Sequence, residues 1–156
     1  MNEAISELKE TFQFFNNSTS CLSEEDSGFT PKEGMFTVAQ QVAHIAITVD
    51  WFLEPLSTGN GFDMDFEEHD KKCRAVTSLE AARKMLDESV NKFIELVNCK
   101  DEAYFKEPLP DGPIMGGEPR SHVFGAIVDH TAHHRGALTV YSRLLGKMPK
   151  MPYGDF

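Results

Sequence analysis

Three observations predict an all-α protein built as a four-helix bundle. Apolar residues recur with helical periodicity in four segments of helical length. No run alternates apolar and polar residues as a half-buried strand does. Long connections rich in polar residues, glycine or proline separate the second segment from the third and the third from the fourth. With 156 residues, 40% of them apolar, residues 1–156 are expected to form one domain with a sizeable core. No internal repeat or low-complexity tract divides the chain. Loop lengths leave the order of the helices open.

In the first segment Ile5, Leu8, Phe12 and Phe15 share one face, with Glu3, Glu7 and Glu10 elsewhere, and the helix is expected to fade after Asn16. The second runs from Phe36 to Leu56, with Thr37 as N-cap and Val38, Val42, Ile45, Val49, Phe52 and Leu56 as its main stripe. Asp50 is its only charge before Glu54, so this helix should be covered on more than one side, by neighbouring helices or a second subunit. Pro55 is expected to distort its end. Residues 58–76, with Gly59, Gly61 and many acids, read as a surface connection carrying a short helical piece.

The third helix starts at a capping-box pair, Thr77 and Glu80, and holds Leu79, Ala82, Leu86, Val90, Phe93 and Val97 on one face. Four prolines and three glycines between Lys100 and Arg120 exclude a continued helix and predict a long loop. The fourth helix spans Ser121 to Leu145 and stops at Gly146.

Charge and motif content exclude several functions. Fifteen basic residues against 25 acidic ones give a formal net charge of −10, which removes the attraction to phosphate that non-specific nucleic-acid binding requires. Cys21, Cys73 and Cys99 are widely spaced and odd in number, arguing against a disulfide framework or a thiolate metal site and for a reducing cytoplasm. The opening MNEAISELKE has no basic n-region before an apolar stretch, and no segment approaches an uncharged membrane span, so neither secretion nor membrane insertion is expected. There is no G-x-S-x-G, phosphate-cradling loop, H-E-x-x-H or cysteine in a histidine-rich stretch. Any catalysis would therefore rest on a metal.

The sharpest feature is DHTAHHRGAL, where His130 and His134 lie four residues apart on one helical face and can share an ion. Val123, Ile127, Ala137, Tyr141, Leu144 and Leu145 fall within about 60° of His130, so the pair sits within the apolar stripe. Two buried imidazoles without partners cost about 1–3 kcal/mol each, a penalty that a metal or hydrogen bonds to a neighbouring helix would remove. A third ligand is needed, and His44 is the only histidine in another apolar helix. It lies about 120° from its helix's main stripe, beside Gln41, Thr48 and Trp51, so periodicity alone also allows a flank residue; that flank, however, is uncharged.

His133 is a candidate hydrogen-bond donor, alternative ligand or packing residue, and His69 and His122 read as solvated or loop-contacting. Asp129 points about 100° from the pair and can orient a neighbouring imidazole, while Arg135 is expected to pair with an acid of another helix or subunit. Phe12, Phe15, Trp51, Phe93 and Tyr141 read as core.

Taken together, His44 in QVAHIAITVDWF and HTAHHRGAL near the C-terminus resemble the DinB/YfiT-like metalloprotein superfamily, over the whole chain. The resemblance implies a four-helix bundle, often dimeric, with a divalent metal held by one histidine of the second helix and two of the last. Carried over, these are His44, His130 and His134. His134, Arg135 and Gly136 reproduce the family's H-R-G, but Ala137 stands where the family has glutamine, so that amide's hydrogen bond is absent. The resemblance further implies thiol-dependent transfer in some relatives.

The expected protein is thus a cytoplasmic metalloprotein holding Zn²⁺ or Ni²⁺ in an open three-histidine site. It would transfer a low-molecular-weight thiol to a small-molecule substrate, or hydrolyse it, with residues 58–76 and 106–120 forming the pocket rim. The competing expectation is a non-catalytic stress-response or binding homodimer with a structural or vestigial metal.

Overall fold

A computed structural model of the chain describes residues 2–154. Helices α1 (Asn2–Thr19), α2 (Val38–Thr58), α3 (Phe66–Arg74), α4 (Leu79–Cys99), α5 (Glu102–Lys106) and α6 (His122–Leu144), with a 3-10 turn at Glu24–Asp26, account for the helical structure among the described residues. The four long ones, α1, α2, α4 and α6, form a four-helix bundle in which α2 packs chiefly on α4 and also on α6 and α3, while α1 packs on α6. That central position explains the sparse charge of α2, which buries Val38, Val42, Ile45, Val49 and Phe52 together with Ala39, Ala43 and Ala46. Neighbouring helices of the same chain supply this cover. Leu8 and Phe12 of α1, Val49 of α2, Phe93 of α4 and Ile127 of α6 meet at one point of the core. Burying each such large side chain contributes about 1.5–3 kcal/mol.

Helix α2 begins as the sequence predicts. Thr37 Oγ1 accepts from the Gln40 amide at 3.3 Å, and Gln40 Oε1 accepts from the Thr37 amide at 3.0 Å. The helix passes through Pro55 to Thr58, where the Ser57 and Thr58 hydroxyls donate to carbonyls four residues back, and it stops at Gly59, whose φ of 74° favours glycine. Helix α4 departs from the expected Thr77–Glu80 box. Ser78 is its N-cap, accepting from the Ala81 amide at 3.1 Å, while the Glu80 amide donates to Glu24 Oε2 at 2.8 Å. The α1–α2 connection thereby supplies part of the α4 cap, and Ser27 Oγ accepts from the Leu79 amide. That bond to the Glu80 amide, foremost among several, holds the Glu24 carboxyl below its usual pKa range.

Three other expectations are corrected. Helix α1 continues past Asn16 to Thr19. The 100–120 segment is not all loop: Asp101 caps the short α5, which buries Phe105 against Phe124, and Pro108 bridges Pro119 in antiparallel fashion. The C-terminal half of the α6 apolar stripe is only partly covered, with Leu144 60% exposed and Ala137 half-buried.

Candidate metal centre

The α2–α6 contact brings His44, His130 and His134 together, one nitrogen from each lying within 4.8 Å of the others. His130 Nε2 is 3.2 Å from His44 Nε2 and 3.2 Å from His134 Nε2. His134 is buried, and the other two are half-buried at the end of a cavity. No other histidine, cysteine or carboxylate among the described residues joins this group.

The imidazoles of His134 and His44 have partners on the side away from the cluster. His134 Nδ1–H donates to Gln41 Oε1 at 2.5 Å, and Gln41 Nε2 donates to the Tyr141 hydroxyl at 3.3 Å, which itself donates to the Phe36 carbonyl at 3.1 Å. Because the Gln41 amide nitrogen is turned to Tyr141, its oxygen faces His134. That places the imidazole proton on Nδ1 and leaves the Nε2 lone pair directed to the cluster. His44 Nδ1 lies 3.6 Å from Cys73 Sγ, and the Phe36 ring packs on its imidazole at 5.3 Å. Thr48 Oγ1 is 3.5 Å from His130 Nε2.

Burial, reinforced by the neighbouring imidazoles, pushes the His130 pKa down to about 4 and that of His134 to about 3. Burial also lowers His44, with Asp70 opposing it. Burial raises Cys73 to about 11, so it remains a thiol beside His44. Three neutral imidazoles with converging lone pairs are a donor set for a divalent ion. Metal–nitrogen bonds of about 2.0–2.1 Å in tetrahedral geometry separate ligand nitrogens by about 3.3–3.4 Å, close to the two 3.2 Å spacings found here. The residues present fit the ion.

Beside the cluster opens a cavity of about 390 Å³, walled by α2, α3 and α6. Of the two segments expected at the rim, 58–76 contributes Phe66 and His69, whereas the 106–120 loop does not line the cavity. That loop folds back on itself instead, the Leu109 amide donating to the Glu118 carbonyl at 2.7 Å. Trp51 belongs to the cavity wall rather than the core, its Nε1 donating to the Asp63 carbonyl.

The remaining sequence candidates lie outside the cluster. His133 is exposed, its ring edge-on to that of His134. His122 pairs with Glu118, and His69 approaches Asp63 at 3.2 Å while lining the cavity. Asp129 stands exposed at the cavity rim. Arg135 lies over the Phe14 ring, 6.0 Å from its centroid.

Sequence reasoning placed Gln41 beside His44 but did not assign it the His134 contact. It dismissed Cys73, 29 residues from His44, for want of a histidine-rich context. One turn of helix separating Gln41 from His44 was the available signal for the former; nothing local announced the latter.

The model of the DinB superfamily matches residues 7–138. The chain belongs to this superfamily. Among solved structures, this DinB protein is similar to YjoA, a DinB-like protein of Bacillus subtilis, with a TM-score of 0.72 and 17% identity over 99% of both chains. It is also similar to YfiT of Bacillus subtilis, described as "a probable metal-dependent hydrolase with an unusual four-helix bundle topology", with a TM-score of 0.69 and 19% identity over 94% of this chain and 87% of that one. At these identities the likeness establishes the DinB fold. No curated protein matches the sequence. No helix among the described residues of this DinB chain is long and apolar enough to cross a membrane.

Proposed function

We propose that His44, His130 and His134 hold one divalent ion, zinc or nickel, and that the protein is a metal-dependent enzyme acting on a small molecule in the adjoining cavity. The observation that carries this reading is the convergence of three neutral imidazoles, one tied back through Gln41, at the end of a largely apolar cavity. The description of YfiT as metal-dependent supports it. A bound ion supplies Lewis acidity and lowers the pKa of a thiol or water that it takes up, which suits thiol transfer to an electrophile or hydrolysis. The chain's own part is to keep the imidazoles neutral by burial, to fix the His134 tautomer through Gln41, and to seat the substrate against Trp51 and Phe52. The ligand set leaves coordination positions free, because three protein donors do not saturate a divalent ion.

Metal analysis by mass spectrometry tests the site, on protein purified without chelator or nickel resin. About one ion per chain is expected, and none in His134→Ala. Unaltered metal content in that variant overturns the assignment. With the site established, turnover with water alone or only with an added thiol separates hydrolysis from transfer.

A second reading, a non-catalytic homodimer, is favoured by the exposed Val140, Leu144 and Met148 around the end of α6. Light scattering tests assembly, and absence of turnover with any thiol or ester probe in the metal-loaded protein favours this reading.

A further inference from the structure

We propose that in the metal-free protein the cavity beside the histidine cluster binds small molecules whose body is aromatic or branched-alkyl and uncharged or cationic, and that it discriminates there against anions. The inference rests on the proposed enzymatic reading for the role of the cavity, but the charge preference is that of the metal-free chain, because a divalent ion on the three histidines would add positive charge at the inner end.

Three features carry it. First, the walls are apolar and largely aromatic: Ile47, Trp51, Phe52, Phe66 and Ala126 line most of the 390 Å³. The aromatic wall is built rather than incidental. Trp51 is fixed by its hydrogen bond to the Asp63 carbonyl at 2.7 Å, and its ring packs on Phe62 and Phe52 with centroids 4.5 and 5.1 Å away, so a flat, rigid face is presented. The volume suits a single-ring or short branched molecule with its polar end towards the histidines.

Second, the formal charge at the rim is negative. Asp129 lines the opening, His69 beside it is paired with Asp63, and the lining contains no lysine or arginine. An anionic group along the body of a ligand would lie near the Asp129 carboxylate with no cation to receive it, whereas an ammonium would be attracted both by that carboxylate and by the Trp51 face.

Third, apart from the rim residues Asp129 and His69, the polar lining groups stand together beside the cluster. Thr48, His44 and His130 occupy the inner side and the apolar rings the remainder, so a bound molecule is oriented with its one polar or electrophilic end inward.

Trp51 is the only tryptophan in the chain and lies in the cavity wall, so its fluorescence reports occupancy directly. The probes are benzyl alcohol, benzylammonium and benzoate, close in size and differing in charge, titrated into the full-length metal-free protein. Saturable changes in Trp51 emission are expected with the first two, and binding of benzoate about tenfold weaker or worse. Asp129→Asn is expected to narrow the gap between benzylammonium and benzoate by about tenfold, and Ala126→Phe, which fills the cavity, to abolish saturable binding.

Benzoate binding as tightly as benzyl alcohol, or no saturable response to any probe, overturns the proposal. Should Ala126→Phe fail to fold, the charge order and its loss in Asp129→Asn still decide. Metal stoichiometry measured separately tells failure of the metal reading from failure of this one, since the probes require no ion.

Discussion

Replacing Gln41 with leucine tests whether a glutamine of α2 positions the imidazole of α6. The parent side chain accepts from His134 Nδ1–H at 2.5 Å and donates to Tyr141 at 3.3 Å, and all three residues are buried. Leucine leaves the Nδ1–H without an acceptor, at a cost of about 1–3 kcal/mol, partly offset by its better apolar burial. A net loss of about 1–2 kcal/mol in the metal-free protein corresponds to a fall in Tm of about 2–8 °C for a chain of this size. Freed of its acceptor, His134 can also turn or change tautomer, so zinc affinity should fall about 10- to 100-fold, as when other residues that orient metal ligands are removed. Competition with a chromophoric chelator measures the affinity, and calorimetry the stability. Tyr141→Phe, which removes only the hydroxyl behind Gln41, should lose less than about tenfold in affinity. Zinc binding by Gln41→Leu within twofold of the parent, with an unchanged Tm, would refute the positioning role.

The metal-free protein should lose stability as pH falls below about 6.5. The folded imidazoles of His130 and His134 titrate near 4 and 3, so between those values and 6.5 the unfolded chain binds more protons. The slope approaches about 2.7 kcal/mol per pH unit for the two groups together, and urea unfolding that is flat from pH 7 to 5 would contradict it. Asp26 is buried, which raises its pKa, but the Lys147 ammonium and the Ser23 hydrogen bonds outweigh this and hold it below the usual range. Its contribution is present above pH about 4 and lost as pH falls through the depressed value; Asp26→Asn should cost about 1–3 kcal/mol at pH 7 and remove that part of the acid sensitivity in equilibrium unfolding. Thr131 buries its hydroxyl on α6 without a hydrogen-bond partner, so Thr131→Val should be neutral or stabilise by about 1 kcal/mol, read as a Tm that does not fall.

The bundle was legible in the sequence because helical periodicity is a local property. The stripes Leu8–Phe12–Phe15 and Leu86–Phe93 announce the faces that the structure buries, and Thr37 lies where α2 begins, whereas the helix runs through Pro55 two residues beyond the expected end at Leu56. The His130–His134 pair was legible for the same reason, since residues four apart on a helix are neighbours in any fold.

Choices between near-equivalent local solutions were not legible in this way. The α4 cap went to Ser78 rather than Thr77, where the α1–α2 connection presents Glu24 and Ser27 to the next two amides. The short α5 depends on Asp101 and on a place for Phe105 against Phe124. The sequence by itself determined which side chains could share a helical face, and hence the helices, their apolar stripes and two of the three clustered histidines. Only the tertiary structure decided that the flank of α2 bearing Gln41 and His44 meets α6, that Cys73 of α3 lies behind His44, and that Trp51 lines a cavity instead of filling the core. Those pairings join residues 29 to 93 positions apart, and their register is set by how packed helices bury shared apolar surface, which no single helix's periodicity encodes.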